Sequence, residues 1–256
     1  MSPAVAAPRP FLTAEWRDLL MLNYVVPPAR LEPFVPAGTV LDRWDGAAMV
    51  SVVGFRFVNT RVLGVAVPGH REFEEVNLRT YVRRIAPDGP RRGVVFLREL
   101  VPRRAIAWVA RALYNEPYRA LPMRHAIARD GAVRELRYEW LASGWNGIRA
   151  RTEGEAAALV PGSEAEFITE HYWGYTRQRD GGTMEYQVAP ELPGLRSSST
   201  FSSWRWTSPP CRSATTTRRS RTAVVFPSAS RNVAALTSAS AATSTWAFPY
   251  MVSGRT

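Results

Sequence analysis

The chain has 256 residues, room for one large domain or two small ones, with 46% hydrophobic residues and a formal net charge of +11. All 33 basic residues are arginine, because lysine is absent. That absence excludes imine catalysis through a lysine side chain, pyridoxal chemistry and lysine-bearing phosphate loops. Cys211 is the single cysteine, so an intrachain disulfide and a cysteine-rich zinc site are excluded too. His70, His125 and His171 lack ligand spacing, and neither a metal nor a cofactor is expected. No signal-like or membrane-spanning apolar stretch is visible, which predicts a soluble, cytoplasmic protein with no membrane partner.

Charge divides the chain near residue 191. All 22 acidic residues and 25 of the arginines lie within 1–191, which therefore carries only +3, whereas the last 65 residues hold eight arginines and no acid. Ser and Thr dominate that last stretch. One reading of 192–256 is a disordered basic arm that binds nucleic acid by counterion release. Against it stand Trp204, Trp206, Trp246, Phe201, Phe226, Phe248 and Tyr250, since disordered segments are poor in aromatics. Arginine without lysine, with abundant Ala, Pro and Gly, suggests GC-rich coding. An out-of-frame segment beginning near Val188 to Arg196 is the favoured reading, and nucleic acid is the least favoured partner.

Within 1–191 the elements are mainly strands. The apolar run Trp16 to Tyr24 must stop at Pro27-Pro28, and a proline-punctuated segment continues to Gly38. Asp45-Gly46 signals a hairpin ahead of the strand Ala47 to Val58. In that strand Met49, Val53, Phe55 and Phe57 share one face, and Val50, Val52 and Val58 the other. Two apolar faces predict a central strand. Gly93 to Leu100 reads as another strand, ending in Arg98-Glu99. Ala105 to Tyr114 reads as a helix with Ile106, Val109 and Leu113 facing the core and Trp108 packed. Glu135 to Trp140 alternates, with Leu136, Tyr138 and Trp140 as its buried set. Ser163 and Glu166 form a capping box for a helix over Glu164 to His171, and Asp180-Gly181-Gly182 turns the chain between two further strands.

The strand Glu75 to Val82 carries the candidate site. Alternation places Glu75, Asn77, Arg79 and Tyr81 on one face and Val76, Leu78, Thr80 and Val82 on the other. The plain reading is a sheet with one wetted face, which is the commoner cause of such a pattern. The sharper one is a polar row lining a pocket, where Arg79 clamps a carboxylate bidentately and Asn77 and Tyr81 orient the ligand.

Several stretches together resemble the YqjF-like family. They are Trp16-Arg17, the segment from Val26-Pro27-Pro28 to Gly38, the Asp42 to Gly46 turn, Val76 to Val82, the Gly93 strand with the helix through Ala110-Arg111, and Glu166 to Tyr175. The resemblance runs from about residue 10 to about residue 188. It implies an α+β, mainly β fold similar to acetoacetate decarboxylase, a closed antiparallel β-barrel with short helices outside and a ligand pocket inside. Residues 10–191 would form that barrel, left incomplete at its C-terminal end, and 192–256 the basic tail. The decarboxylase works through a lysine Schiff base, a route closed to a chain without lysine.

What survives is the pocket, with Arg79, Asn77, Tyr81, Glu75 and Glu99 as ligand-binding candidates and a small organic anion as the expected partner. Binding without turnover is the first reading. The alternative is an enzyme doing acid/base chemistry on a small keto acid or carboxylate, with Glu75 or Glu99 as base and Tyr81 as donor. Whether the chain is an enzyme stays open at this point.

Overall fold

The structure, a computed structural model, describes residues 12–131, 133–152 and 159–187, together with the backbone of 222–226 and 234–237. Strands β1 (Leu12–Val25), β2 (Val40–Leu41), β3 (Arg43–Trp44), β4 (Ala47–Val62), β5 (Phe73–Ala86) and β6 (Gly89–Val101) come first. Helix α1 (Arg104–Tyr114) precedes β7 (Tyr118–Ala120), β8 (Met123–Asp130), β9 (Val133–Leu141) and β10 (Trp145–Thr152). Helix α2 (Glu164–Thr169), β11 (Trp173–Arg177) and β12 (Thr183–Gln187) come next, and then the short strands β13 (Thr222–Phe226) and β14 (Ala234–Thr237). No helix among the described residues is long and apolar enough to cross a membrane.

The punctuation of the sequence explains these limits. After β1 the prolines set two short 3-10 turns, Pro28–Arg30 and Glu32–Phe34. Asp45 and Gly46 both take positive φ, at 47° and 75°, which makes the tight β3–β4 hairpin with Trp44 opposite Ala47.

The main sheet runs β12-β11-β6-β5-β4-β1-β13-β14, mostly antiparallel, with β11 and β7 both joining β6 in parallel. It is open. The expected closed antiparallel barrel is not formed, because β12 and β14 end the path without pairing to each other. A three-stranded sheet, β10-β9-β8, stands apart and covers one face of the main sheet instead. The reason is physical: strands apolar on both faces report that both faces are covered, and a layer on each side satisfies that as well as barrel closure does.

One core layer joins Leu20, Leu22, Val50, Val52, Val76 and Leu78 to Leu136, Tyr138, Trp140, Ile148 and Ala150 of the smaller sheet. The opposite face carries Met21, Met49, Val53, Phe55, Phe57, Phe73 and Tyr81, packed with Ala107 of α1 and with Ala165, Phe167 and Ile168 of α2. The face assignments expected for β4 and for Leu136, Tyr138 and Trp140 therefore hold. Helix α1 differs in part from expectation. Ile106 packs partly buried against the core as expected and Ala107 is fully buried, whereas Leu113 is 54% and Trp108 65% exposed. Helix α2 ends at Thr169, two residues earlier than its sequence suggested.

Of the segment 192–256, β13 pairs antiparallel with β1 and β14 with β13. The disordered and out-of-frame readings cover all of 192–256, of which everything but these two strands lies outside the described residues.

Candidate functional site

Glu75, Asn77, Arg79 and Tyr81 do share one face of β5, the face covered by α1 and α2 rather than by water. Glu75, Asn77 and Tyr81 are buried and Arg79 is partly buried. The wetted-face reading of this alternation is thereby excluded, since burying a polar row is unfavourable unless its members find partners. Two polar clusters result, one at each end of the row.

At the first end, Asn77 Nδ2 donates to Glu75 Oε1 at 3.0 Å and the Tyr118 hydroxyl to Glu75 Oε2 at 2.9 Å. Asn115 ends α1 in the left-handed conformation and Pro117 prevents its continuation, so the chain doubles back and β7 runs beside Glu99, with Tyr118 in register with it. That reversal buries Glu116 among the same groups. Glu116 Oε1 accepts from Thr176 Oγ1 at 2.5 Å and from the Tyr186 hydroxyl at 2.9 Å. Tyr186 lies directly across from Gly174 on β11, and its ring fills the space a Cβ there would need. Oε2 of Glu99 and Oε2 of Glu116 are buried without a hydrogen bond.

Burial pushes the Glu75 carboxyl up to about 7, against the hydrogen bonds from Asn77 and Tyr118, with the Glu116 charge adding to the rise. Burial first, and then the charges of Glu116 and Glu75, raise Glu99 well above the ordinary carboxyl range. Burial raises Glu116 as well, opposed by Thr176 and Tyr186. Burial and their mutual charges disfavour ionising all three carboxyls together, so their proton affinities rise as a group.

At the other end, Arg79 Nη2 donates to the Ile168 carbonyl at 3.2 Å and lies 3.9 Å from Met21 Sδ, and its Cζ stands 5.6 Å from the Tyr81 ring centroid. Its Nε is buried with no hydrogen bond, and no carboxylate among the described residues pairs with it. Glu75 and Glu99 are engaged in the carboxyl cluster and do not pair with Arg79. Tyr81 shares its hydroxyl with Ser51 Oγ, which in turn donates to Asn23 Oδ1.

The His171 ring packs on Tyr81 at 4.7 Å between centroids. Asp42 is tied to the same strand by its N–H to the Tyr81 carbonyl at 2.9 Å. Its Oδ2 accepts from Arg92 Nε at 2.7 Å and from His171 Nε2 at 3.1 Å. Burial opposes ionisation of Asp42, but His171 and Arg92 outweigh it and hold its carboxyl down to about 2. Asp42 also lines an open groove of about 730 Å³ with Val35, Pro36, Thr39, Arg43 and Arg83, and Arg79 does not border that groove.

The family model DUF2071, described as an uncharacterized conserved protein, matches residues 13–195. The chain belongs to the DUF2071 family. Over 68 residues this DUF2071 chain is 40% identical to the uncharacterized protein YqjF of Bacillus subtilis (strain 168), a match spanning 26% of this chain and 28% of that protein. Among solved structures, acetoacetate decarboxylase from Legionella pneumophila is similar with a TM-score of 0.43 at 15% identity, over 71% of this chain and 69% of that one. An acetoacetate decarboxylase-like enzyme from Sphingomonas wittichii RW1 gives 0.45 at 16% identity, over 88% and 76%. The enduracididine biosynthesis enzyme MppR gives 0.46 at 12% identity, over 68% and 65%.

Sequence reasoning found the β5 row and Glu99 in this DUF2071 chain, but it missed Asp42, Arg92, Glu116, Tyr118, His171 and Tyr186. Asp42 and His171 do lie in stretches that carried the family resemblance, the only signal that could have marked them. The described residues hold no cluster of three or more His, Cys, Asp or Glu arranged to bind a metal ion.

Proposed function

We propose that this protein binds a small organic anion, with Arg79 as the anchor for its carboxylate and Tyr81 and Asn77 as neighbouring polar groups. The observation that carries the reading is the guanidinium of Arg79, partly buried, with no carboxylate partner among the described residues and with its Nε donor unused. A cation in that setting gains from an anionic ligand what it lacks from its own chain. Asn77 Oδ1, also buried without a partner, adds an acceptor to the row.

A second reading, acid/base turnover of a small keto acid or carboxylate, is supported by Glu75. Its carboxyl, pushed up to about 7, has the proton affinity a general acid or base needs near neutrality. Glu99 belongs to the same cluster of raised carboxyls.

Calorimetric titration with a panel of small monocarboxylates tests the anchor. Arg79→Met should abolish binding with the fold kept, and Arg79→Lys should restore it only in part, because an ammonium lacks the planar bidentate fork. Undiminished binding by Arg79→Met would remove Arg79 from the site. Turnover of any panel member that is lost in Glu75→Gln would favour the second reading.

A further inference from the structure

We propose that His171 selects the ligand of the Arg79 site, its unprotonated Nδ1 accepting a hydrogen bond from a hydroxyl of the bound anion, so that the ligand class is the small hydroxycarboxylates. This rests on the anion reading above and adds the second group the ligand must carry.

The inference comes from the tautomer. Asp42 Oδ2 lies 3.1 Å from His171 Nε2 and also receives Arg92 Nε, while Asp42 Oδ1 accepts the Arg43 N–H at 3.1 Å. The His171 and Arg92 bonds hold its carboxyl down to about 2, so Asp42 has no proton to give. An ionised carboxylate only accepts, and His171 must therefore donate through Nε2–H. Burial, joined by the charges of Arg92 and Arg79, lowers the imidazole to about 4 against the pull of Asp42, leaving the ring neutral at pH 7. A neutral ring with Nε2–H has a bare lone pair on Nδ1. That Nδ1 is buried and has no hydrogen-bond partner.

His171 and Arg79 both pack on the Tyr81 ring, and Arg79 is tied to Ile168, three residues before His171. The site thus holds two unspent groups of opposite kind, a guanidinium N–H donor and an imidazole acceptor. A plain carboxylate satisfies the first and leaves the second orphaned; a hydroxycarboxylate satisfies both. An amino acid would also bring a donor, but its ammonium would add positive charge beside Arg79 and Arg92, which favours the neutral hydroxyl.

The test uses matched pairs on the full-length chain: lactate against propionate, and 3-hydroxybutyrate against butyrate, by calorimetry. The hydroxy acid of at least one pair should bind roughly tenfold more tightly than its deoxy partner. His171→Gln keeps an N–H toward Asp42 but has no acceptor at the Nδ1 position, so it should erase that preference and bring each hydroxy acid to the affinity of its deoxy partner. Arg79→Met should lose both members of each pair. Equal binding within every pair by the unaltered protein, or a preference that survives His171→Gln, would overturn the role of His171 and leave the anion site standing. Failure of all four acids to bind would overturn the anion reading itself. Nitrogen-15 NMR of histidine-labelled protein gives an answer that does not depend on any variant folding, since a proton found on Nδ1 of His171 refutes the proposal.

Discussion

At Gly54 the absence of a side chain decides how closely the two sheets pack. A Cβ there would lie 2.6 Å from Cδ2 of Tyr138 and 2.8 Å from Cδ1 of Ile148, closer than carbon atoms approach. Tyr138 needs this place because its hydroxyl donates to the Asp18 carbonyl at 2.6 Å, where Asp18 sits at positive φ in the irregular part of β1. Gly54→Ala should therefore destabilise the fold by about 1–3 kcal/mol through overpacking. Urea denaturation measures it, and a change within about 0.5 kcal/mol would mean the sheets can separate at no cost. Sequence periodicity placed Val50, Val52 and Tyr138 in the core, but it could not show that Tyr138 lies on Gly54, since 84 residues separate them and no local pattern links the two.

Among the elements, α2 is the clearest case of local chemistry fixing a boundary. Ser163 Oγ accepts the Glu166 N–H at 3.1 Å, as the capping box requires. The return contact differs, because Glu166 Oε2 accepts from the Gly162 N–H at 2.7 Å, one residue before the cap. Ser163→Ala should cost on the order of 1 kcal/mol in thermal or urea unfolding, and since α2 carries Ile168, whose carbonyl holds Arg79, any loosening should also weaken anion binding. Wild-type stability and affinity in this variant would show that the cap does not position the helix. Strand β5 shows the limit of such reading. Its alternation was legible and its polar face was named residue by residue, yet alternation is the same whether that face meets water, a lumen or a helix.

For the molecule as a whole, stability depends on pH through groups that act in opposite directions. Glu75, Glu99 and Glu116 are raised in the folded chain, so the native state binds more protons than the unfolded one, and stability falls as pH rises from 4.5 through about 7 and beyond. His171 is lowered from 6.5 to about 4, so its contribution is present above 6.5 and lost as pH falls through that interval. Asp42 is lowered from 3.8 to about 2, and its contribution is lost only in stronger acid. Above pH 6.5 the carboxyls act unopposed by His171. The melting temperature should decline between about pH 6.5 and 8, and Glu99→Gln should flatten the decline by removing one titrating carboxyl from the cluster. A Glu99→Gln profile parallel to that of the unaltered protein would show that the cluster does not control stability in this range.

The amino-acid sequence by itself determined the features that short-range stereochemistry dictates. The Asp45-Gly46 hairpin, the Ser163 cap, the proline stops after β1 and the division of β4 and β5 into faces all depend on residues within a few positions of one another. Composition alone closed the Schiff-base route, since no fold can supply a lysine the chain lacks. Only the tertiary structure decided that the sheet stays open and that a second sheet and two helices cover it. It alone placed Glu75, Glu99 and Glu116 together, and set Asp42 against His171 across 129 positions of sequence. A carboxyl's proton affinity and an imidazole's tautomer are set by burial and by neighbours a few ångströms away, and those neighbours come from distant parts of the chain that only packing brings into contact.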